Sequence, residues 1–354
     1  MVDHPILNVH RSTTSKIDQT NFDELEFGKN YSDHMMFCDF KNGEWQTPQI
    51  VPYGPMEFAP STKVFHYGQA VFEGMKAFKD ENGNVNLFRP EQNFARINRS
   101  SKRMAIPEFP EAYFFESIKT LLQLDKEWVP QKDGYSLYIR PFVIATEEGV
   151  AASESDRYRF MIITCPTQAY YNKPVKVLIA EKYSRAASGG VGFAKSAGNY
   201  RAQFYPTKLA KKKGYQQVIW TDANDHEYLE EAGTMNVFFR INDDLYTAPT
   251  NDRILDGVTR KSIIQLAKDD GLNVHVDKVP VEMIIEAQKS GELKEIFGSG
   301  TAATVAQVTG FEYKGSDYEL PQLEKPFSLH YKKRLQDIQY GRVKDPHDWL
   351  YPVK

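Results

Sequence analysis

Ala186–Tyr200 reads AASGGVGFAKSAGNY, and Lys195 is the only charged residue in it. A lysine among small and apolar neighbours is penalised in its ammonium form, so the neutral amine that attacks a carbonyl becomes accessible near neutral pH. The plain alternative is a solvated surface lysine, as expected for Lys211, Lys212 and Lys213 at a helix end. The stretch is also one residue from a phosphate-binding loop. Gly189 to Ser196 matches GxxxxGK[ST] except that Ala194 replaces the last glycine. Such a loop needs a strand running straight into it and a helix starting at the Lys-Ser pair, where Gly198 and Asn199 would occupy the first turn.

Outward from this loop the chain divides. Strands are expected at Val64 to Tyr67, Val85 to Phe88, Ser136 to Thr146 and Arg157 to Thr164, each rich in β-branched or aromatic residues. Helices are expected at Pro90 to Met104 and Pro110 to Trp128. Residues 1–165 thus read as a small α+β domain with an extended N-terminal arm, and residues 166–174 as a linker broken by two prolines. Residues 175–354 read as a larger domain with mixed α/β order. It has a strand at Val175 to Ile179, a basic helix around Pro206 to Lys213, and a hairpin of Gln217 to Thr221 with Glu231 to Asn242. A short strand Leu245 to Ala248, helices Thr259 to Asp270 and Val281 to Ser290, and an amphipathic helix His330 to Gln339 follow.

Three further segments offer acids and anion cradles. In Tyr228 to Val237, strand alternation sends Glu230 and Glu231 to opposite faces, so one can point inward, where it needs a cationic partner. Both could instead be solvated in a loop. Asp256-Gly257-Val258-Thr259-Arg260 stands where a helix begins, which suits an anion, or a simple N-cap by Thr259. Arg96 could contribute a bidentate contact to the same anion, or be a surface residue like its basic neighbours. Gly298 to Ala303 satisfies the dinucleotide pattern GxGxxA, yet Thr304, Val305 and Val308 favour a strand where that fingerprint needs a helix. Together these supply what pyridoxal phosphate asks for: a lysine, an acid at the pyridine nitrogen and a phosphate cradle.

Composition narrows the alternatives. The chain has 354 residues, 41% of them hydrophobic, and a formal net charge of −3 with no basic stripe, so nucleic acid is not an expected partner. Cys38 and Cys165 lie far apart outside any CxxC or Cys/His cluster, which predicts no metal and suits a reducing, cytoplasmic setting. The acidic N-terminal thirty residues argue against a leader, and no apolar run is long enough for a membrane span.

The motifs taken in order resemble the branched-chain amino acid aminotransferases of the class IV, fold type IV pyridoxal-phosphate enzymes, which share the D-amino acid aminotransferase-like architecture. The marks are Tyr67 with Phe72-Glu73-Gly74-Met75-Lys76, Leu87-Phe88-Arg89-Pro90, and Tyr138-Ile139-Arg140-Pro141. Lys195 with Gly198-Asn199-Tyr200, Glu231 to Asn236, and Gly298 to Ala302 complete them, and the likeness runs from Phe27 to about Val353. The resemblance implies that Lys195 forms the Schiff base and then carries the proton between substrate Cα and cofactor C4′. It implies Glu231 at the pyridine nitrogen, Tyr200 at the phenolic oxygen, and Arg96, the amides of Val258 and Thr259, and Thr301 at the phosphate. Thr234, the amide of Ala302 and the Tyr67 hydroxyl would take the substrate carboxylate. Tyr31, Phe72, Tyr138 and Tyr200 match the walls of the side-chain pocket, and Arg140 or the tyrosine hydroxyls would meet the glutamate carboxylate. Tyr67 and the loop of Gly149 and Val150 reach a partner's site in the family, which implies a homodimer. The redox CxxC of some members is replaced at Ala303 and Ala306, which removes thiol regulation there. The loop before Gly149 is also shorter than in some relatives.

The implied reaction passes the amino group of leucine, isoleucine or valine to 2-oxoglutarate, giving the 2-oxo acid and glutamate. A D-amino acid or aminodeoxychorismate-like substrate on the same fold is the nearest rival. A magnesium-dependent nucleotide hydrolase at Ser196, or a non-catalytic binding protein, stands further off.

Overall fold

The structure, a computed structural model, describes residues 6–168 and 174–354; most of the expected linker, residues 169–173, lies outside these. The chain forms two compact units: residues 1–170, 194–197 and 337–354 make the first, and 171–193 with 198–336 the second. This departs from the expected partition, because the Lys195 segment and the C-terminal end both return to the first unit. The cause at the C-terminus is an edge strand: Leu350–Pro352 pairs antiparallel with Val85–Phe88, while Arg89 N–H donates to the Trp349 carbonyl at 2.8 Å. Arg89 also stacks its guanidinium 4.9 Å from the Trp349 ring.

The first unit is built on a ten-stranded sheet, almost wholly antiparallel among its described strands. Its spine is the long pair Ser136–Ala145 and Tyr158–Thr167, buried along most of its length, with a two-residue alternation only from Ile139 to Ala145. Helices Pro90–Arg103 and Glu111–Leu124 pack onto it through Ile97, Phe114, Ile118 and Leu121, with Phe109 stacked 3.7 Å from Phe160. The first helix falls where expected, while the second ends at Leu124 and is followed by a separate 3-10 turn, Lys126–Trp128. The strand expected at Val64 to Tyr67 is instead one helical turn, Lys63–Tyr67. β-branched and aromatic content suggested extension, but Gly68 closes the turn in the left-handed conformation and donates its N–H to Val64 O at 3.0 Å. Lys63 is buried there, with its Nζ held by Glu147 at 2.8 Å, Ser153 Oγ at 2.9 Å and Glu154 O at 3.0 Å.

The second unit is a barrel. Met235–Ile241, Leu293–Gly300, Thr304–Tyr313, Val175–Ile179, Gln217–Thr221 and Tyr228–Ala232 pair in that order, and the last pairs back with the first. Closure leaves these strands without a free edge. The expected hairpin is therefore a three-stranded meander, because Gly233, at φ 58, turns the chain between Glu231 and Asn236. Helix Val281–Ser290 packs Val281, Ile284 and Ile285 against Val177, Ile179, Val237 and Phe239. Gly298–Ala303 lies in the hairpin Leu293–Gly300 to Thr304–Tyr313, which excludes the dinucleotide reading. Helix Phe327–Gln339 buries Tyr331, Leu335 and Ile338, as its amphipathic pattern requires.

Candidate active site

In the first unit the loop carrying Lys195 is held by its backbone. Lys195 N–H donates to Ser100 Oγ at 2.9 Å, its carbonyl accepts the Phe72 N–H at 3.0 Å, and Ser196 bridges Val71 of strand Ala70–Phe72. Its Nζ stands 4.9 Å over the Phe72 ring. A short helix that Gly198 and Asn199 argue against in the sequence nevertheless follows the lysine as Ala197–Arg201, so that objection to a phosphate loop fails. The other holds: residues 180–188 separate strand Val175–Ile179 from Gly189, and no strand enters the loop. Tyr200 stands on the short helix.

Beside the lysine lies a charge pair that sequence reasoning did not single out. Glu73 is fully buried; Arg96 Nε and Nη2 reach its two oxygens at 2.6 and 2.9 Å, Asn93 Nδ2 donates at 2.8 Å, and the Gly74 N–H at 3.0 Å. Burial alone would push the Glu73 carboxyl up, but Arg96, then Lys195 and Asn93, outweigh it and hold it below the usual range. Arg96 is thus buried, not superficial, and this edge of its fork is directed at Glu73. The motif Phe72-Glu73-Gly74 was the available signal.

Phe72, Tyr138 and Arg140 come together in the first unit. Arg140 stacks 4.6 Å from the Phe72 ring and donates to the Tyr138 hydroxyl at 2.9 Å, and Phe27 meets Tyr138 edge-on at 5.0 Å. A Cβ on Gly74 would lie 2.1 Å from the Tyr138 hydroxyl, so this packing requires glycine. Tyr31 stacks on Tyr53 at 4.7 Å. Tyr67 and Val150 are exposed, and the Tyr67 hydroxyl donates to the Val150 carbonyl. Cys38 and Cys165 are buried thiols, pushed up by desolvation to about 12 and about 11, which disfavours their thiolate forms.

In the second unit Glu230 and Glu231 are both buried, so the solvated-loop reading is wrong. Alternation gives each its own arginine: Arg253 pairs with Glu230, and Arg185 Nε with Glu231 Oε2 at 3.0 Å. Burial raises the Glu230 carboxyl in spite of Arg253. Neither arginine was anticipated; they lie in irregular segments remote in sequence from the glutamates. Glu231 Oε1 also accepts the Leu255 N–H at 2.5 Å and Asn236 Nδ2 at 3.4 Å.

Asn236 connects this carboxylate to a helix start. Its Nδ2 donates to Leu255 O at 2.9 Å, and its Oδ1 lies 1.9 Å from where a Gly257 Cβ would stand. Helix Val258–Asp269 begins there, with Gly257 as its N-cap and no side-chain cap. Thr259 is inside the helix, which overturns its reading as the cap. Val258 and Thr259 are buried, and their position in the first turn gives the dipole and N–H groups that favour an anion. Across the sheet Glu231, Asn236 and Ser299 are directly paired, so their side chains share one face. Ser299 Oγ is buried and finds no hydrogen-bond partner among the described residues. Thr301 and Ala302 form the adjoining turn, closed by Thr304 at φ 58, a strained setting for a β-branched residue. Thr234 is exposed on the turn after Gly233.

The family model of class IV amino-transferases matches residues 70–311. The chain is 43% identical over 339 residues to branched-chain-amino-acid transaminase 1 of Bacillus subtilis (strain 168), covering 93% of this chain and 94% of that one. It is 42% identical over 356 residues to the probable branched-chain-amino-acid aminotransferase of Staphylococcus aureus (strain N315), covering 98% of each. Among solved structures, the branched-chain aminotransferase of the archaeon Thermoproteus uzoniensis with norvaline overlays at a TM-score of 0.75 and 21% identity, covering 91% of this chain and 100% of that one. That likeness speaks for the fold, and the closer sequences for kinship. The chain belongs to the class IV aminotransferases, within the branched-chain-amino-acid aminotransferase family.

Proposed function

We propose that this protein transfers the amino group of leucine, isoleucine or valine to 2-oxoglutarate with pyridoxal 5′-phosphate as cofactor. The observation that carries the reading is the polar row Glu231, Asn236 and Ser299 beside the uncapped start of helix Val258–Asp269. A buried carboxylate, an unpartnered buried hydroxyl and first-turn amides are the donors and acceptors that a pyridinium and a phosphate require. The residues present therefore fit the cofactor.

When bound, pyridoxal phosphate supplies a carbonyl carbon for the amine and a ring that spreads carbanion charge. Lys195 would supply the amine for that carbon and the base that takes the substrate Cα proton and returns it one atom away. Its backbone hydrogen bonds fix the place from which the side chain reaches out. Glu231 holds the proton at the pyridine nitrogen, and Tyr200 hydrogen-bonds the phenolic oxygen. Arg96, the amides of Val258 and Thr259, and Thr301 hold the phosphate. Thr234, the Ala302 amide and Tyr67 orient the substrate carboxylate. Phe72, Tyr138 and Tyr31 give the apolar walls that favour a branched side chain, and Arg140 meets the second carboxylate of 2-oxoglutarate.

The exposed pair Tyr67 and Val150, with exposed Phe65 nearby, supports a homodimer in which this edge meets a partner subunit. No described helix is long and apolar enough to cross a membrane. A cytoplasmic enzyme is the setting that buried, unpaired thiols suit.

Steady-state turnover with leucine, valine, D-alanine and an aromatic amino acid, each with 2-oxoglutarate, tests the reading. The branched-chain L-amino acids should have the highest kcat/KM. Preferential turnover of D-alanine would assign the fold to its D-amino acid relatives instead.

A further inference from the structure

Arg185 lies in none of the segments to which a role has been given, yet it is only 7% exposed and all three guanidinium nitrogens are engaged. Nε faces Glu231 Oε2 at 3.0 Å, Nη1 donates to the Arg253 carbonyl at 2.7 Å, and Nη2 to the Gly192 carbonyl at 3.0 Å. One planar fork therefore joins three segments: the strand bearing the acid, the loop leading into helix Val258–Asp269, and the loop that reaches Lys195 three residues after Gly192. The two loops are fastened further. Gly189 N–H donates to Asp252 Oδ2 at 2.5 Å, Phe193 N–H to Asp252 O at 3.1 Å, and Arg253 Nη1 to Ser188 Oγ at 2.6 Å. A Cβ on Gly192 would come within 2.6 and 2.7 Å of the Arg253 main chain, so the loops meet backbone to backbone.

We propose that Arg185 is the positioning residue of the cofactor site: it fixes the orientation and the negative charge of Glu231 while setting the loop before Lys195 against the loop before the phosphate-binding helix. The inference rests on the reading of Glu231 as the acid at the pyridine nitrogen. A buried carboxylate persists as an anion only with a permanent counter-charge and filled hydrogen bonds, and a guanidinium provides both. Lysine carries the same charge but cannot reach three acceptors in one plane. The arginine thus acts in two separable ways, by charge on the acid and by geometry on the loops.

The test uses the full-length protein loaded with pyridoxal phosphate, with Arg185→Gln and Arg185→Lys beside wild type. Two readouts are taken besides turnover: the midpoint of the pH titration of the visible absorption band, and the affinity for pyridoxamine 5′-phosphate, which needs no bond to Lys195. Removing a nearby positive charge favours protonation of the bound chromophore, so Arg185→Gln should raise the midpoint by about one pH unit. It should also weaken pyridoxamine phosphate by roughly tenfold and lower kcat more than it changes KM for leucine. Arg185→Lys should leave the midpoint near wild type and still lose affinity. An unmoved midpoint with unchanged affinity in Arg185→Gln overturns the proposal. If that variant does not fold, Arg185→Lys decides: reduced pyridoxamine phosphate affinity upholds it, and wild-type affinity overturns it. A wild-type protein with no visible band in excess pyridoxal phosphate refutes the cofactor reading itself, before any variant is compared.

Discussion

Glu73 and Glu231 are both buried glutamates paired with an arginine, and they differ in how the arginine spends its fork. Arg96 turns Nε and Nη2 onto both oxygens of Glu73, with Asn93 and the Gly74 amide adding to them. Arg185 gives Glu231 one nitrogen and sends the other two to main-chain carbonyls. The first arrangement locks a charge pair as an anchor beneath the lysine loop. The second holds a carboxylate by one oxygen while fastening the loops around it. One arginine is spent on a single carboxylate, the other is shared between a carboxylate and two loops.

Substitutions can break or sharpen that contrast. The largest effect belongs to Lys195→Ala, which removes the proposed proton carrier and should lower leucine turnover by at least about 10²–10⁴-fold with the fold retained. Stopped-flow half-reactions with leucine measure it, and near-normal rates would deny Lys195 its role. Glu73→Leu leaves Arg96 buried without its counter-ion, so denaturant unfolding should show a loss of about 3–5 kcal/mol. A loss under about 1 kcal/mol would mean the pair is not the anchor described. Gly74→Ala drives a methyl into the Tyr138 hydroxyl and should cost about 1–3 kcal/mol while raising KM for leucine.

The smallest effect is on acid stability. Glu73 has its carboxyl held below the ordinary value of 4.5, so it contributes stability that is fully present above that pH and lost as pH falls through the folded-state value. Stability measured from about pH 6 down to 3 should therefore fall less steeply in Glu73→Gln than in wild type. Equal slopes would place the acid-sensitive charge elsewhere.

How far the sequence disclosed this follows from the range of each signal. Helices Pro90–Arg103 and Val281–Ser290 were legible because their caps and periodicity are local. Lys195 and Glu231 stood out as candidates because their neighbours along the chain are unusual. The turn Lys63–Tyr67 was misread because its composition favours extension, and a buried Lys63 held by Glu147 decides it. The return of Leu350–Pro352 to Val85–Phe88 and the partners Arg96 and Arg185 join residues from 23 to hundreds apart, and barrel closure joins strands just as distant, for which one chain carries no local mark. Arg185 in particular sits only ten residues before Lys195 and looked like any loop arginine.

The central claim is that Lys195 bonds to the cofactor. The loaded protein should be reduced with borohydride, digested and mapped by mass spectrometry. The account predicts one phosphopyridoxyl group, on the peptide containing Lys195. Labelling of another lysine, or no labelling of a protein that binds pyridoxal phosphate, would contradict it.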